Sequence, residues 1–210
     1  MQQLDKPPAR RGPAFAVLGL MTVAVFAVLP GACAEPSSPV DAQASVASVA
    51  PRSEAPVQAS VGDRLGKLRS VTARFHNIQA ANDAEYSIPL TGCMVDPTLG
   101  GMGFHYGKGG AIDGTVNELE PEVLLYEPQT NGTLRLVAVE FIVPYAFAPR
   151  EGPAPEAFGQ KFLPNDAEGF KLWMLHAWIW KNNPSGTFAT WNPDVNCDAV
   201  PAAARMSHGH

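Results

Sequence analysis

The spacing of apolar residues changes along this chain in a way that separates a helix from strands. Between positions 63 and 81, apolar side chains recur at every third or fourth position. That period is typical of a helix with one buried face. Asp63 lies where an N-terminal cap or a first-turn acid is favoured. The pattern predicts a helix over 63–81.

The second half of the chain shows the two-residue alternation of β-strands. Segments 122–127 and 134–143 flank Asn131-Gly132, a pair strongly favoured in hairpin turns. Segment 170–181 is apolar on both faces, which predicts a central strand covered on both sides. A further strand is expected near 103–107. The pattern predicts an α+β fold, in which the N-terminal helix packs on one face of an antiparallel sheet.

The amino terminus has the order of an export signal. Three basic residues precede an uncharged apolar run over 13–29, and small residues follow it at 31, 32 and 34. Residues 1–34 are therefore predicted to direct export, with an uncleaved membrane anchor as the alternative. Two cleavage sites compete. Ordinary signal peptidase would cut after Ala34, whereas a lipoprotein pathway would cut before Cys33 and attach a lipid to it, although Pro30 departs from the lipobox pattern.

Composition then divides the rest of the chain. Residues 35–61 are rich in Ala, Ser and Pro and contain no large apolar residue beyond Val, so we expect a disordered tether. Residues 62–200 are predicted to form a single domain, followed by a loose tail over 201–210. The formal net charge of the chain is −5, and the predicted signal removes more basic than acidic residues. An acidic exported domain without a basic stripe is a poor candidate for nucleic-acid binding.

The cysteines agree with export to an oxidising compartment. If Cys33 is lost or lipidated, Cys93 and Cys197 remain as a pair. Such a pair favours a disulfide outside the cytosol, with two free buried thiols as the alternative. Contact with the membrane is expected only through the N-terminal lipid or anchor.

Two polar residues stand where apolar core residues are expected. Glu140 interrupts LVAVEFIV, and His176 interrupts WMLHAWIW. A buried carboxylate facing a buried imidazole would satisfy both groups, as an ion pair or as two ligands of one metal. His105, in the glycine-rich segment 100–110, is the expected third ligand, and His76 is a fourth ligand or an orienting residue. Two imidazoles and a carboxylate indicate Zn, Fe or Cu.

Two other interpretations remain open at this stage. The polar residues could form a purely structural network. Alternatively, the protein could be a non-catalytic binding module with an aromatic pocket for an apolar small molecule. The pocket residues would then be Tyr106, Tyr126, Trp178 and Trp180. Whether a metal site would also be an enzyme is open, because the chain contains no Gly-x-Ser-x-Gly elbow, phosphate loop or His-Glu-x-x-His motif.

A set of short motifs extends over residues 72–197. They are ARFHN, MGFHYGK, PEVLLYEP, LVAVEF, FGQKF, LHAWIWKNNPSG and FATWNPDVNC. As a set they resemble a group of exported bacterial proteins for which no activity is established. The resemblance implies one domain and an exported location, and it implies no reaction.

Overall fold

The computed structural model describes residues 59–167 and 169–207. The predicted export signal, Cys33 and nearly all of the predicted tether lie outside the described residues. The helices in the described part are α1 (Val61–Thr72) and α2 (Ile78–Asp83), with 3-10 turns at Ala73–His76, Gly109–Ala111 and Ala202–Ala204. None of these helices is long and apolar enough to cross a membrane.

Strands make up most of the regular structure. They are β1 (Tyr86–Pro89), β2 (Cys93–Asp96), β3 (Gly100–Lys108), β4 (Val123–Pro128), β5 (Leu134–Pro144), β6 (Glu156–Ala157), β7 (Gln160–Lys161), β8 (Leu163–Asn165), β9 (Leu172–Ala177) and β10 (Arg205–Ser207). One sheet has the order β10-β2-β3-β4-β5-β9-β8, with β1 beside β3. Its pairs are antiparallel except β10 with β2. The α+β prediction is therefore confirmed.

The predicted helix over 63–81 is present but interrupted. The Ser60 side chain accepts a hydrogen bond from the Asp63 backbone N–H at 3.1 Å, and the Asp63 carboxylate accepts one from the Ser60 N–H at 3.2 Å. This capping box starts α1. The helical run is interrupted at Asn77, because its side chain accepts a hydrogen bond from the Gln79 N–H at 2.9 Å. Asn77 thereby caps the N-terminus of a new helix, α2.

The sheet has two buried faces. On the helix face, the hydroxyl of Tyr126 donates to the carbonyl of Phe75 at 2.7 Å, which attaches the 3-10 turn to the sheet. The main side chains of this face are Leu68, Phe75, Leu124, Tyr126, Val139, Phe141 and Leu175. The opposite face is the smaller core, formed by Met94, Met102, Val123, Leu125, Val137, Ala138, Ile142, Trp178 and Val195. The polar residues singled out from the sequence lie on strands that separate these two cores.

Two local irregularities correct the predicted alternation. The register of β4 and β5 slips by one residue between Ala138 and Leu136, so Leu136 joins the helix face instead of sharing a face with Glu140. The predicted strand 170–181 ends at Ala177. Beyond it, the backbone N–H groups of residues 178 and 180 donate to the carbonyls of Thr187 and Val137. Trp180 therefore lies beyond the end of the strand that was predicted to contain it.

A disulfide joins Cys93 of β2 to Cys197, 104 residues away, as predicted. In the chain-entropy account, a cross-link over so long a loop stabilises the fold by about 4.7 kcal/mol. The segment before Cys197 lies against β3, where a Cβ on Gly101 would be 2.8 Å from the carbonyl oxygen of Val195. Glycine permits this close approach. Residues 205–207, predicted as part of the loose tail, instead form β10 beside β2.

Candidate metal centre

Three strands bring His105, Glu140 and His176 together on the sheet face away from the helix. His176 of β9 lies directly opposite Glu140 of β5. His105 of β3 reaches the same place across the intervening strand β4. Residues that oppose each other across strands project to the same face. The strand register therefore brings together three residues that are far apart in the sequence.

The geometry of the group fits a bound ion. The Nε2 atom of His105 lies 3.8 Å from Oε2 of Glu140, and Nε2 of His176 lies 3.6 Å from Oε1 of the same carboxylate. One ligand atom from each residue lies within 4.8 Å of the others. Ligand atoms bound to zinc at about 2.0–2.2 Å are roughly 3–4 Å apart. All three side chains are buried, with His105 5%, Glu140 6% and His176 2% exposed.

Hydrogen bonding within the group does not account for its spacing. Hydrogen bonds between N–H donors and oxygen acceptors span about 2.7–3.2 Å, which is less than either distance between imidazole and carboxylate. The Nε2 atom of His176 is fully buried and has no hydrogen-bond partner among the described residues. Buried polar atoms are nearly always satisfied, and an exception calls for an ion or a water molecule. The space between these three side chains is therefore a place for a small polar guest.

Burial also sets the protonation of the group. Loss of water raises the pKa of Glu140 to about 8, and the nearby Glu122 carboxylate contributes to this rise. Burial lowers the pKa of His105 to about 4. It lowers the pKa of His176 to about 3, with a further contribution from His105. Without an ion, these shifts favour a protonated carboxyl and neutral imidazoles at neutral pH, and so disfavour the ion pair considered from the sequence.

Hydrogen bonds through the hydroxyl of Thr91 orient His105. Its Nδ1 atom lies 2.8 Å from the hydroxyl oxygen of Thr91. That hydroxyl donates its own proton to the carbonyl of Gly92 at 2.9 Å, so it is left to accept from His105. The Nδ1 atom then carries the imidazole proton, and Nε2 presents a lone pair towards Glu140. Metal-binding histidines are commonly held in one tautomer by such a partner.

Glu122 is a buried acid that sequence reasoning missed. It is 2% exposed, and its Oε2 accepts a hydrogen bond from the backbone N–H of Ile142 at 3.1 Å. Burial raises its pKa to about 8. Glu122 is the first residue of the predicted strand 122–127, where a charged side chain is expected to reach solvent, so the pattern gave no sign that its carboxyl is buried.

His76 lies apart from the three converging residues, contrary to its predicted role. Its ring packs edge-on against Trp180, with 4.4 Å between ring centroids. It belongs to the 3-10 turn that packs on the helix face, whereas the metal candidates occupy the opposite face. The sheet itself therefore separates His76 from the site.

Of the four aromatic residues predicted to form a pocket, Trp178 and Trp180 line one cavity beside α1, whereas Tyr106 and Tyr126 lie elsewhere. Tyr106 and Tyr126 contact each other on the helix face, with 5.7 Å between ring centroids. Trp178 belongs to the opposite core, where its indole N–H donates to the carbonyl of Ala189 at 2.6 Å. The indole N–H of Trp180 donates to the hydroxyl of Thr72 at 3.2 Å. Their separation follows from the sheet faces and from the early end of β9.

A cavity of about 80 Å³ adjoins His105 and Glu140, two of the three converging residues. Its walls are formed by Leu90, Thr91, Met94, Met102, His105, Glu140, Ile142, Asn165, Phe170, Leu172, Met174, Thr190 and Trp191. Two imidazoles and one carboxylate are the donor set of many catalytic zinc and non-haem iron sites, in which other coordination positions stay open. No protein-family model matches the chain, and neither a curated protein nor a solved structure gives a match.

Proposed function

We propose that this protein is an exported metal-binding protein, and that His105, Glu140 and His176 hold one divalent transition-metal ion. The observation that carries the proposal is the buried Nε2 atom of His176. In the described part of the chain this atom has no hydrogen-bond partner, and it lies 3.6 Å from Oε1 of Glu140. A bound ion would satisfy it together with the two other ligands. Water in the same space is the competing explanation, and the experiment below separates the two.

The three residues have distinct roles in this proposal. His105 and His176 supply neutral nitrogen ligands, since burial lowers the pKa of both. Glu140 supplies the only negative charge among the three. Thr91 holds the His105 ring in the tautomer whose Nε2 lone pair is free to bind a metal. A bound ion would act as a Lewis acid and would activate a water molecule. We therefore propose, more specifically, that the protein is a small metalloenzyme. The adjoining cavity supports this because it offers space for a substrate beside the ion.

Metal content of protein purified without an affinity tag tests the proposal. We expect about one ion per chain in the wild type after equilibration with Zn²⁺ and removal of free metal. Glu140→Gln keeps the side-chain shape but removes the charge, and it should lose the ion. His76→Gln is the matched control, because His76 lies on the other face of the sheet and the ion should be retained.

Two results would contradict the proposal. One is a wild-type protein without stoichiometric metal in Zn²⁺, Fe²⁺ and Cu²⁺ trials alike. The other is Glu140→Gln protein with as much metal as the wild type. Either result would favour a structural polar network in which water fills the space.

The proposed location has one structural support. The Cys93–Cys197 disulfide is compatible with an oxidising, exported compartment. We further propose that Cys33 is lipidated, because a long low-complexity tether suits a domain held at a membrane surface. Cys33→Ser should then release the protein from the membrane fraction. A soluble wild type whose mature chain begins at Glu35 would support ordinary signal-peptidase cleavage instead.

A further inference from the structure

The cavity beside the proposed metal site is small and lined mainly by apolar side chains. Its volume is about 80 Å³. Three of its wall residues are methionines, whose flexible thioethers adapt to the shape of an apolar guest. They are Met94, Met102 and Met174. Because they belong to three different strands, they form a surface that can adapt to apolar groups of different shapes.

The polar groups of the wall are largely engaged within the protein. The hydroxyl of Thr91 is shared between His105 and Gly92. The side-chain oxygen of Asn165 accepts from the Ala167 N–H at 3.2 Å. No lysine or arginine belongs to the described wall. A charged group deep in this cavity would therefore be desolvated without a partner, which is costly.

The exception is the side of the cavity formed by His105 and Glu140. Both residues belong to the cavity wall and to the group proposed to hold the ion. An ion held there would be within reach of a guest in the cavity. The guest would meet a metal at one end and apolar side chains along the rest of its length.

We infer that the cavity binds a small molecule with one metal-binding donor group and a short apolar tail. This inference rests on the proposed metal site, and it names the class of ligand that the site takes. A cavity of about 150 Å³ is known to hold benzene, so one of about 80 Å³ has room for roughly three or four carbon atoms. Each methylene group removed from water should tighten binding about fourfold.

A series of carboxylic acids with different tails tests the inference. Co²⁺-loaded protein is titrated with acetate, propionate, butyrate and succinate, and dissociation constants are measured by calorimetry and visible absorption. We expect the constant to fall about fourfold per methylene from acetate to butyrate. Succinate, whose second carboxylate would enter the apolar end, should bind more weakly than acetate. Equal constants along the series, or tighter binding of succinate, would overturn the inference.

A matched pair of variants locates the tail. Met174→Gln introduces a polar amide of similar size into the cavity wall, and the gain per methylene should fall below about twofold. Leu119→Gln makes the same apolar-to-amide change on an exposed side chain outside the cavity wall, and should leave the series unchanged. A wild-type response in Met174→Gln, or the same loss in Leu119→Gln, would overturn the placement of the tail.

Failure of the metal site can be told apart from failure of the cavity. Bound Co²⁺ is quantified in every sample, and its absence from the wild type contradicts the proposed function itself. The metal-free protein is examined separately with xenon by ¹²⁹Xe NMR, since dry apolar cavities bind xenon. Saturable xenon binding that is weakened by Met174→Gln supports the apolar cavity. Absence of xenon binding in the wild type overturns it, whatever the metal content.

Discussion

The proton coupled to metal binding gives the most quantitative test of the role of Glu140. Burial raises the pKa of this carboxyl to about 8, so the ion-free protein holds a proton on Glu140 at neutral pH. A carboxylate ligand must be ionised, and metal binding must therefore expel that proton. The two histidines contribute no protons near neutrality, because their pKa values are lowered to about 4 and about 3.

The size of the effect follows from the pKa. At about pH 6, Glu140 lies two units below its pKa, and each unit costs about 1.4 kcal/mol to ionise it. Metal affinity at about pH 6 should thus be roughly 100-fold weaker than above about pH 8, with a tenfold gain per pH unit between them. The gain should level off above the pKa.

Isothermal titration calorimetry at about pH 6 can count the released proton. Titrations in two buffers of different ionisation enthalpy should show that about one proton is released per bound ion. Water bound to zinc does not contribute, because at about pH 6 it is not yet ionised. Glu140→Gln should show weak binding without this proton. Release near zero in the wild type would mean that Glu140 is already ionised or is not a ligand. Release near two would show that a second group loses its proton, either a histidine, contrary to the reasoning from burial, or the neighbouring Glu122, whose pKa is also raised to about 8.

Three further predictions concern the surroundings of the site. Thr91→Val removes the acceptor of the His105 Nδ1 proton, and chelator competition should show metal binding about 10–100-fold weaker; unchanged affinity would contradict the tautomer argument. Replacing Cys93 and Cys197 together by Ser should lower the free energy of unfolding by about 4.7 kcal/mol, and an unchanged urea midpoint would refute this. Lys181→Met leaves the buried Glu127 carboxylate without the ammonium group that lies 2.7 Å from it, and urea unfolding should show a free energy of unfolding lower by about 3 kcal/mol. Adding Glu127→Gln should restore most of this loss. Absence of such a rescue would contradict the ion-pair explanation.

The parts of the fold that sequence predicts well are those set by local pattern. The hairpin around Asn131-Gly132 and the capped helix from Asp63 follow from turn and cap chemistry that acts over a few residues. The bulge between Ala138 and Leu136 and the early end of β9 do not. Both depend on hydrogen bonds between backbone groups that are far apart in the sequence. The spacing of apolar residues does not show which of these groups pair.

The same distinction applies to the site. Glu140 and His176 are conspicuous as polar residues in apolar strands, and the strand register places them opposite each other. His76 was wrongly grouped with them, because the sequence does not say which face of the sheet the helix covers. Glu122 and the methionine-lined cavity were missed because their burial depends on packing between distant segments.

Anomalous diffraction from crystals of the metal-loaded protein tests the central claim most directly. Difference maps on either side of the absorption edge of the bound ion identify the metal and locate it. We predict one strong peak about 2.0–2.2 Å from Nε2 of His105, Nε2 of His176 and an oxygen of Glu140. A water molecule without anomalous signal between these side chains, with any metal peak elsewhere on the chain, would contradict the assignment.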